Sequence, residues 1–318
     1  MLAEALDGDA RTVAAPFADA LLAAGREHDD VVVVSADLSK WTDCLPFATA
    51  FPDRFVQVGM AEQNAVGVAG GLAKAGWRPV VVGFGVFLTR RAYDQIAMDL
   101  ATGPNDVVLV GFLPGVMSRF RGTHQAIEDA ALMRAVPGCR VLDPGDATET
   151  AQALRTGLER GGLTYVRASR GQVPVLFDDD GGPLPDVRTV VDADSDVGLV
   201  LTGLATPWSV AAAAELDAPV AHLHVASLKP FPDEEVAAFA ARRRTVVTVE
   251  NHVAHAGLGA AVAMAVADRG LGTRVRRLGL SDDWQAYGTP DFVRAQAGLD
   301  PADIARAVTE AGRQEVAA

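Results

Sequence analysis

The segment Phe55–Ala73, FVQVGMAEQNAVGVAGGLA, puts a carboxylate where chemistry can be done. Its apolar start reads as a strand ending at Gly59, and Glu62 falls on the first turn of a Gly- and Ala-rich helix. In an open α/β sheet, ligands bind at the carboxyl ends of strands. Two readings of Glu62 stand open: a catalytic acid, or one of the many acids that favour helix N-termini for dipole and capping reasons. His124, in GTHQ, is a loop histidine able to exchange a proton near neutral pH. Arg170, in YVRASR, is a forked donor for an anion or half of a plain surface ion pair. His222 and His224 alternate on an expected strand, with no third metal ligand nearby. Gly67, Gly70 and Gly71 read as close helix packing. The first strand runs into LSKWTDCLPF, which has neither GxGxxG nor GxxxxGK[ST].

The elements that must position these residues alternate. Strands are expected at 31–36, 55–58, 79–84, 106–112, 140–142 and 164–167, with helices at 14–26, 62–75, 89–101, 128–135 and 147–158. Continuous Val-rich strands between helices argue for parallel sheets covered on both faces. The stretch Asp178–Asp186 is acidic and rich in Gly and Pro, and reads as linker. Further strands are expected at 197–202, 219–225, 245–249 and 274–278, with helices at 209–216, 233–241, 258–268 and 301–311. The expected fold is therefore α/β: two parallel-sheet domains at 11–178 and 191–318, joined by a linker at 179–190.

The chain has 318 residues, 49% hydrophobic and 22% charged, enough apolar material for two cores. Its net charge of −13 repels nucleic-acid phosphate and anionic lipid, so neither is an expected partner. Cys44 and Cys139 have no metal-ligand spacing and read as reduced thiols. The N-terminus lacks a basic stretch followed by an apolar run, and no apolar run approaches the ~18 residues of a membrane span. A soluble, cytoplasmic protein is expected.

VGMAEQNAVGVAGGLAKAG resembles the glutamate-bearing segment of the pyrimidine domain of transketolases and 1-deoxyxylulose-5-phosphate synthases. The resemblance continues in order along the chain. VVVVSADL, with Asp37, resembles the family's first strand. PVVVGFGVFLTRRAYDQI resembles the segment that stacks on the cofactor pyrimidine, and GTHQAIEDAALMRAVPGCRVLDPGDATET the THQ segment. YVRASR resembles the closing strand, and VENHVAHAGLGAAVA a segment of the C-terminal domain. The match is to the separate C-terminal subunit of split transketolases. It implies thiamine diphosphate as cofactor, with Glu62 sharing a proton with the aminopyrimidine ring. Burial raises the pKa of a carboxyl group, so Glu62 is expected to be buried and able to carry a proton near neutral pH.

The resemblance also implies roles for other residues. Phe84 and Phe87 surround the pyrimidine, and Asp37 and Arg91 belong to the cofactor site. His124 handles a proton or a hydroxyl near the substrate carbonyl, and Arg170 binds a sugar phosphate. His252 and His255 fall in a structural region. No GDG occurs here, so a partner subunit carrying GDG…N is implied, holding Mg²⁺ and the diphosphate in an α2β2 heterotetramer. Phe120 stands where the family has an Asp that recognises a sugar hydroxyl, and the span 100–123 lacks the family's further histidine. A pocket without those groups cannot reward hydroxyls. The expectation is two-carbon ketol transfer among sugars or sugar phosphates with at least one non-standard substrate. Two alternatives remain: a component like the β-subunit of a 2-oxoacid dehydrogenase, acting on a carrier, and a non-catalytic regulatory partner.

Overall fold

The structure, a computed structural model, describes residues 11–179 and 181–313. Asp180 of the expected linker and 314–318 of the expected second domain lie outside the described residues.

Among the described residues, twelve of the fourteen strands form two large sheets, and their order positions the site. The first half supplies β1 (Thr12–Ala14), β2 (Val31–Ser35), β3 (Phe55–Gln57), β4 (Arg78–Phe84), β5 (Val107–Phe112), β6 (Arg140–Leu142), β7 (Leu163–Ala168) and β8 (Gln172–Pro174). The second supplies β9 (Val187–Val191), β10 (Val197–Leu201), β11 (Ala221–Val225), β12 (Ser227–Lys229), β13 (Thr245–Val253) and β14 (Arg274–Leu280). One sheet has the order β12-β6-β7-β5-β4-β2-β3, the other β14-β13-β10-β11-β9, and β1 pairs with β8 alone. Every residue of β2, β5 and β7 is buried, as strands covered on both faces must be.

Both large sheets are parallel except at one edge: β12 runs antiparallel to β6, and β9 antiparallel to β11. Two strands depart from the expected division of the chain. Val187–Val190 lie inside the expected linker 179–190, yet they form most of β9. β12 comes from the expected second domain but closes the edge of the first sheet. Such pairings join segments far apart in sequence, which no local pattern announces.

The chain passes from β2 outward to β3, then returns past β2 to β4. The direction of winding therefore reverses beside β2, and a crevice opens at the carboxyl ends of the strands there. The helix Glu62–Lys74 follows β3, and the helix Gly85–Arg91 follows β4. A single helix at 89–101 is expected from sequence. Instead it starts at Gly85, breaks at Ala92 and ends in a π-helical turn, Ile96–Leu100. A Cβ on Gly85 would stand 3.0 Å from the Tyr165 hydroxyl, so only glycine lets the helix begin this close to β7. The π turn packs on the Glu62 helix, where a Cβ on Gly70 would meet Asp99 O at 3.3 Å.

The two halves share a buried polar seam. The Arg167 guanidinium donates to Asp129 Oδ2 at 2.9 Å, Asp143 Oδ2 at 2.7 Å and the Asn251 carbonyl at 3.0 Å. All its partners are buried, and losing one side of such a pair costs about 3–5 kcal/mol. Asn251 itself accepts from Val116 N–H and donates to the Pro114 carbonyl, both at 3.0 Å. His252 Nε2 accepts from Ala131 N–H at 3.2 Å. No helix among the described residues is long and apolar enough to cross a membrane.

Candidate active site

Glu62 begins its helix and is 2% exposed. Its carboxylate accepts from Arg91 Nη1 at 2.5 Å. Arg91 closes the helix Gly85–Arg91, and its side chain is half exposed. The same guanidinium lies 5.0 Å from the centre of the Phe87 ring. Phe87 sits one helical turn before Arg91, on the same face.

Phe84 ends β4, and its ring is 5.9 Å from that of Phe87 with 29° between their planes. His124 stands edge-on to both, 5.1 Å from Phe87 and 6.3 Å from Phe84. Phe120 covers its other side at 5.0 Å. Burial pulls the imidazole pKa below its ordinary value. The Thr123 hydroxyl pairs with its Nδ1 at 2.8 Å.

Two hollows meet at His124. One, of about 570 Å³, is lined by Phe87, Arg91, Thr123 and His124. The other, of about 440 Å³, is lined by Trp41, Phe84, Phe120, His124, Arg170 and Pro290. The fold thus gathers Glu62, Arg91, Phe87, Phe84, His124 and Phe120 into one contact chain, and Arg170 lines the second hollow with the last of them. Asp37 is held differently. It is exposed after β2, at φ +59°, and its N–H donates to Gln57 Oε1 at 2.6 Å.

Sequence reasoning missed Trp41, Arg90 and Pro290. Trp41 carries Arg170 over its ring at 4.8 Å. His124 ends the short helix Arg121–His124 and is not the loop residue expected from sequence. Arg90 pins that helix. It donates to the carbonyls of Gly122 at 2.6 Å and Gln125 at 3.1 Å, and to Glu128 Oε2 at 2.7 Å. A tryptophan in the polar run LSKWTD was a usable signal. Pro290 arrives from the C-terminal half, so nothing local marks it.

His222 and His224 are buried structural residues: His224 Nε2 lies 2.7 Å from Glu149 Oε2. Glu250, in the VENH segment, caps the helix Leu258–Asp268 by accepting from Leu258 N–H at 2.7 Å and Gly259 N–H at 2.8 Å.

The family pattern described as the transketolase pyrimidine binding domain matches residues 9–175, and that described as the transketolase C-terminal domain matches 186–304. The chain belongs to the transketolase family. This transketolase-family chain is 36% identical to a transketolase family protein of Sinorhizobium fredii, over 98% of its own length and 92% of that protein. It is 34% identical to the 1-deoxy-D-xylulose-5-phosphate synthase of Heliobacterium modesticaldum, yet spans only 46% of that enzyme. Among solved structures, a split-gene transketolase in an inactive β4 tetramer superposes with a TM-score of 0.82 at 33% identity, covering 93% of this chain and 96% of that one.

Proposed function

We propose that this chain is the pyrimidine-side subunit of a thiamine-diphosphate-dependent enzyme that transfers a two-carbon ketol unit in the cytoplasm. The contact chain from Glu62 through Arg91 and Phe87 to His124 carries this reading. A buried carboxylate, two near-parallel phenyl rings and a hollow beside them suit a flat aminopyrimidine. When bound, thiamine diphosphate supplies a carbon nucleophile that accepts the ketol unit.

This chain's own residues do the rest. Glu62 meets the ring nitrogen of the cofactor and shares a proton with it. Phe84 and Phe87 hold the ring by stacking and exclude water. Asp37 and Arg91 border the cofactor. His124, neutral through burial, accepts and returns a proton at the substrate oxygen. Arg170 holds the anionic end of the substrate, and Phe120 replaces a hydroxyl-recognising Asp, so at least one substrate departs from the ordinary sugar phosphates.

We propose further that the diphosphate and Mg²⁺ are held mainly by an N-terminal partner subunit with a GDG…N motif, in an α2β2 assembly. The coverage supports this: the chain spans 46% of a full-length synthase but 96% of a split-gene chain. Mixing the purified chain with that partner tests the reading. Thiamine diphosphate binding and ketol transfer are expected only in the mixture. Transfer by the chain alone, or none by the mixture with any ketose donor, would reject it.

A further inference from the structure

The hollow of about 440 Å³ is built unlike a sugar site. Trp41 is 48% exposed and Phe120 58% exposed, large apolar side chains turned into an open space beside Phe84. Leu113 and Met117 add aliphatic wall. Covering such surface is worth about 25 cal/mol per Å². A hydroxylated chain gains little of that and loses the hydration of each hydroxyl it buries.

The charge of the lining is equally specific. In a protein of net charge −13, two arginines, Arg119 and Arg170, face this hollow, and among the described residues no carboxylate lines it. Arg170 lies over Trp41, its guanidinium carbon 4.8 Å from the ring centre, and is held by an ion pair with Asp43 at 3.7 Å. The remaining polar lining is Ser118 and His124. Ser118 Oγ is already engaged, accepting from Phe120 N–H at 3.3 Å.

We infer that the acceptor is a flat aromatic aldehyde carrying an anionic group. This rests on the ketol-transfer reading above and names its substrate class. The ring lies against Trp41, Phe84 and Phe120, the anion pairs with Arg170, and the aldehyde carbonyl faces His124. In the transfer, the bond between C2 and C3 of the ketose donor breaks. The donor's C3 hydroxyl loses its proton and leaves as an aldehyde. A new carbon–carbon bond forms at the acceptor's carbonyl carbon, whose oxygen takes up a proton and becomes a hydroxyl.

The test uses the reconstituted pair with fructose 6-phosphate as donor and 4-formylbenzoate, benzaldehyde or ribose 5-phosphate as acceptor. The kcat/KM for 4-formylbenzoate is expected to exceed both others at least tenfold. Phe120→Asp should shift the 4-formylbenzoate to ribose 5-phosphate ratio at least tenfold toward the sugar, and Arg170→Gln should erase the advantage over benzaldehyde. Donor cleavage with ribose 5-phosphate preferred would overturn the inference and leave ketol transfer standing. Failure of all three acceptors with fructose 6-phosphate and with a panel of other ketose donors would overturn ketol transfer instead. Calorimetry on the full chain with 4-formylbenzoate then decides for the hollow: tenfold tighter binding than benzaldehyde supports it, and equal or absent binding overturns it.

Discussion

Arg91 reaches from a half-exposed position to the buried carboxylate of Glu62, and the two meet at 2.5 Å. The helices that carry them follow different strands, so the pair ties the carboxyl ends of β3 and β4 together. Arg91→Met leaves a buried charge without its partner. Because Arg91 is half solvated, the expected loss is about 1–2 kcal/mol, below that of a fully buried pair. Adding Glu62→Gln removes the orphaned charge, so the double variant should recover much of the loss. Urea midpoints of the four proteins measure this, and simple additivity would deny the coupling.

Glu62→Gln keeps the shape of the side chain while removing its ability to share a proton. Ketol transfer by the reconstituted pair should fall by about 10²–10⁴-fold. The far-ultraviolet circular dichroism of the variant should match the parent. Activity within threefold of the parent would remove Glu62 from the mechanism.

Asn251 holds the loop below the substrate hollow from the opposite half of the chain. Gly115 lies against it at φ +57°, and a Cβ there would stand 2.1 Å from Asn251 Oδ1. Gly115→Ala is therefore both strained and clashing, with an expected cost of about 3 kcal/mol or more. Asn251→Ala orphans the Val116 N–H and the Pro114 carbonyl, at about 1–3 kcal/mol for each buried group. Thermal melts should show both variants clearly destabilised. An unchanged melting temperature for Gly115→Ala would contradict the packing.

His222 is fully buried on β11, and neither ring nitrogen meets a hydrogen-bond partner among the described residues. Burial pushes its pKa down to about 4. The unfolded chain takes up this proton near pH 6.5 while the folded chain refuses it. Its contribution to stability is thus complete above about pH 6.5 and is lost as pH falls toward 4. His222→Leu should be more stable at pH 7 by about 1–2 kcal/mol, since an unpaired polar group leaves the core. It should also lose less stability on acidification. His252, likewise near 4, retains part of the acid sensitivity. A His222→Leu variant with the parent's full pH dependence in urea titrations would refute this.

The elements that carry the candidate site residues were legible because those residues sit in short, ordered segments. GMAEQNAVGVAGG placed Glu62 at the start of a small-residue helix, and the helix begins there. Val-rich runs located the central strands, since burial on both faces demands continuous apolar sequence. Phe120, an aromatic residue in FRGTHQ, was visible in the sequence, whereas its place against His124 was not. Among its described residues the acidic Gly/Pro stretch Asp178–Asp186 carries no strand or helix, but the linker expected to run on to residue 190 gives way to β9 at Val187.

Tertiary structure decided what those residues face. Nothing near Glu62 in sequence announces Arg91, 29 positions away, as its partner. The helix start at Gly85 and the seating of the π turn against Gly70 depend on how closely neighbouring elements approach, a property of packing. Trp41 and Pro290 reach the hollow beside His124 from segments nearly 250 positions apart, a distance read directly from their numbering. Residue types and local periodicity fix which groups are available and on which kind of element they sit. Contacts between distant segments arise only when strand order and the buried seam around Arg167 bring those segments together.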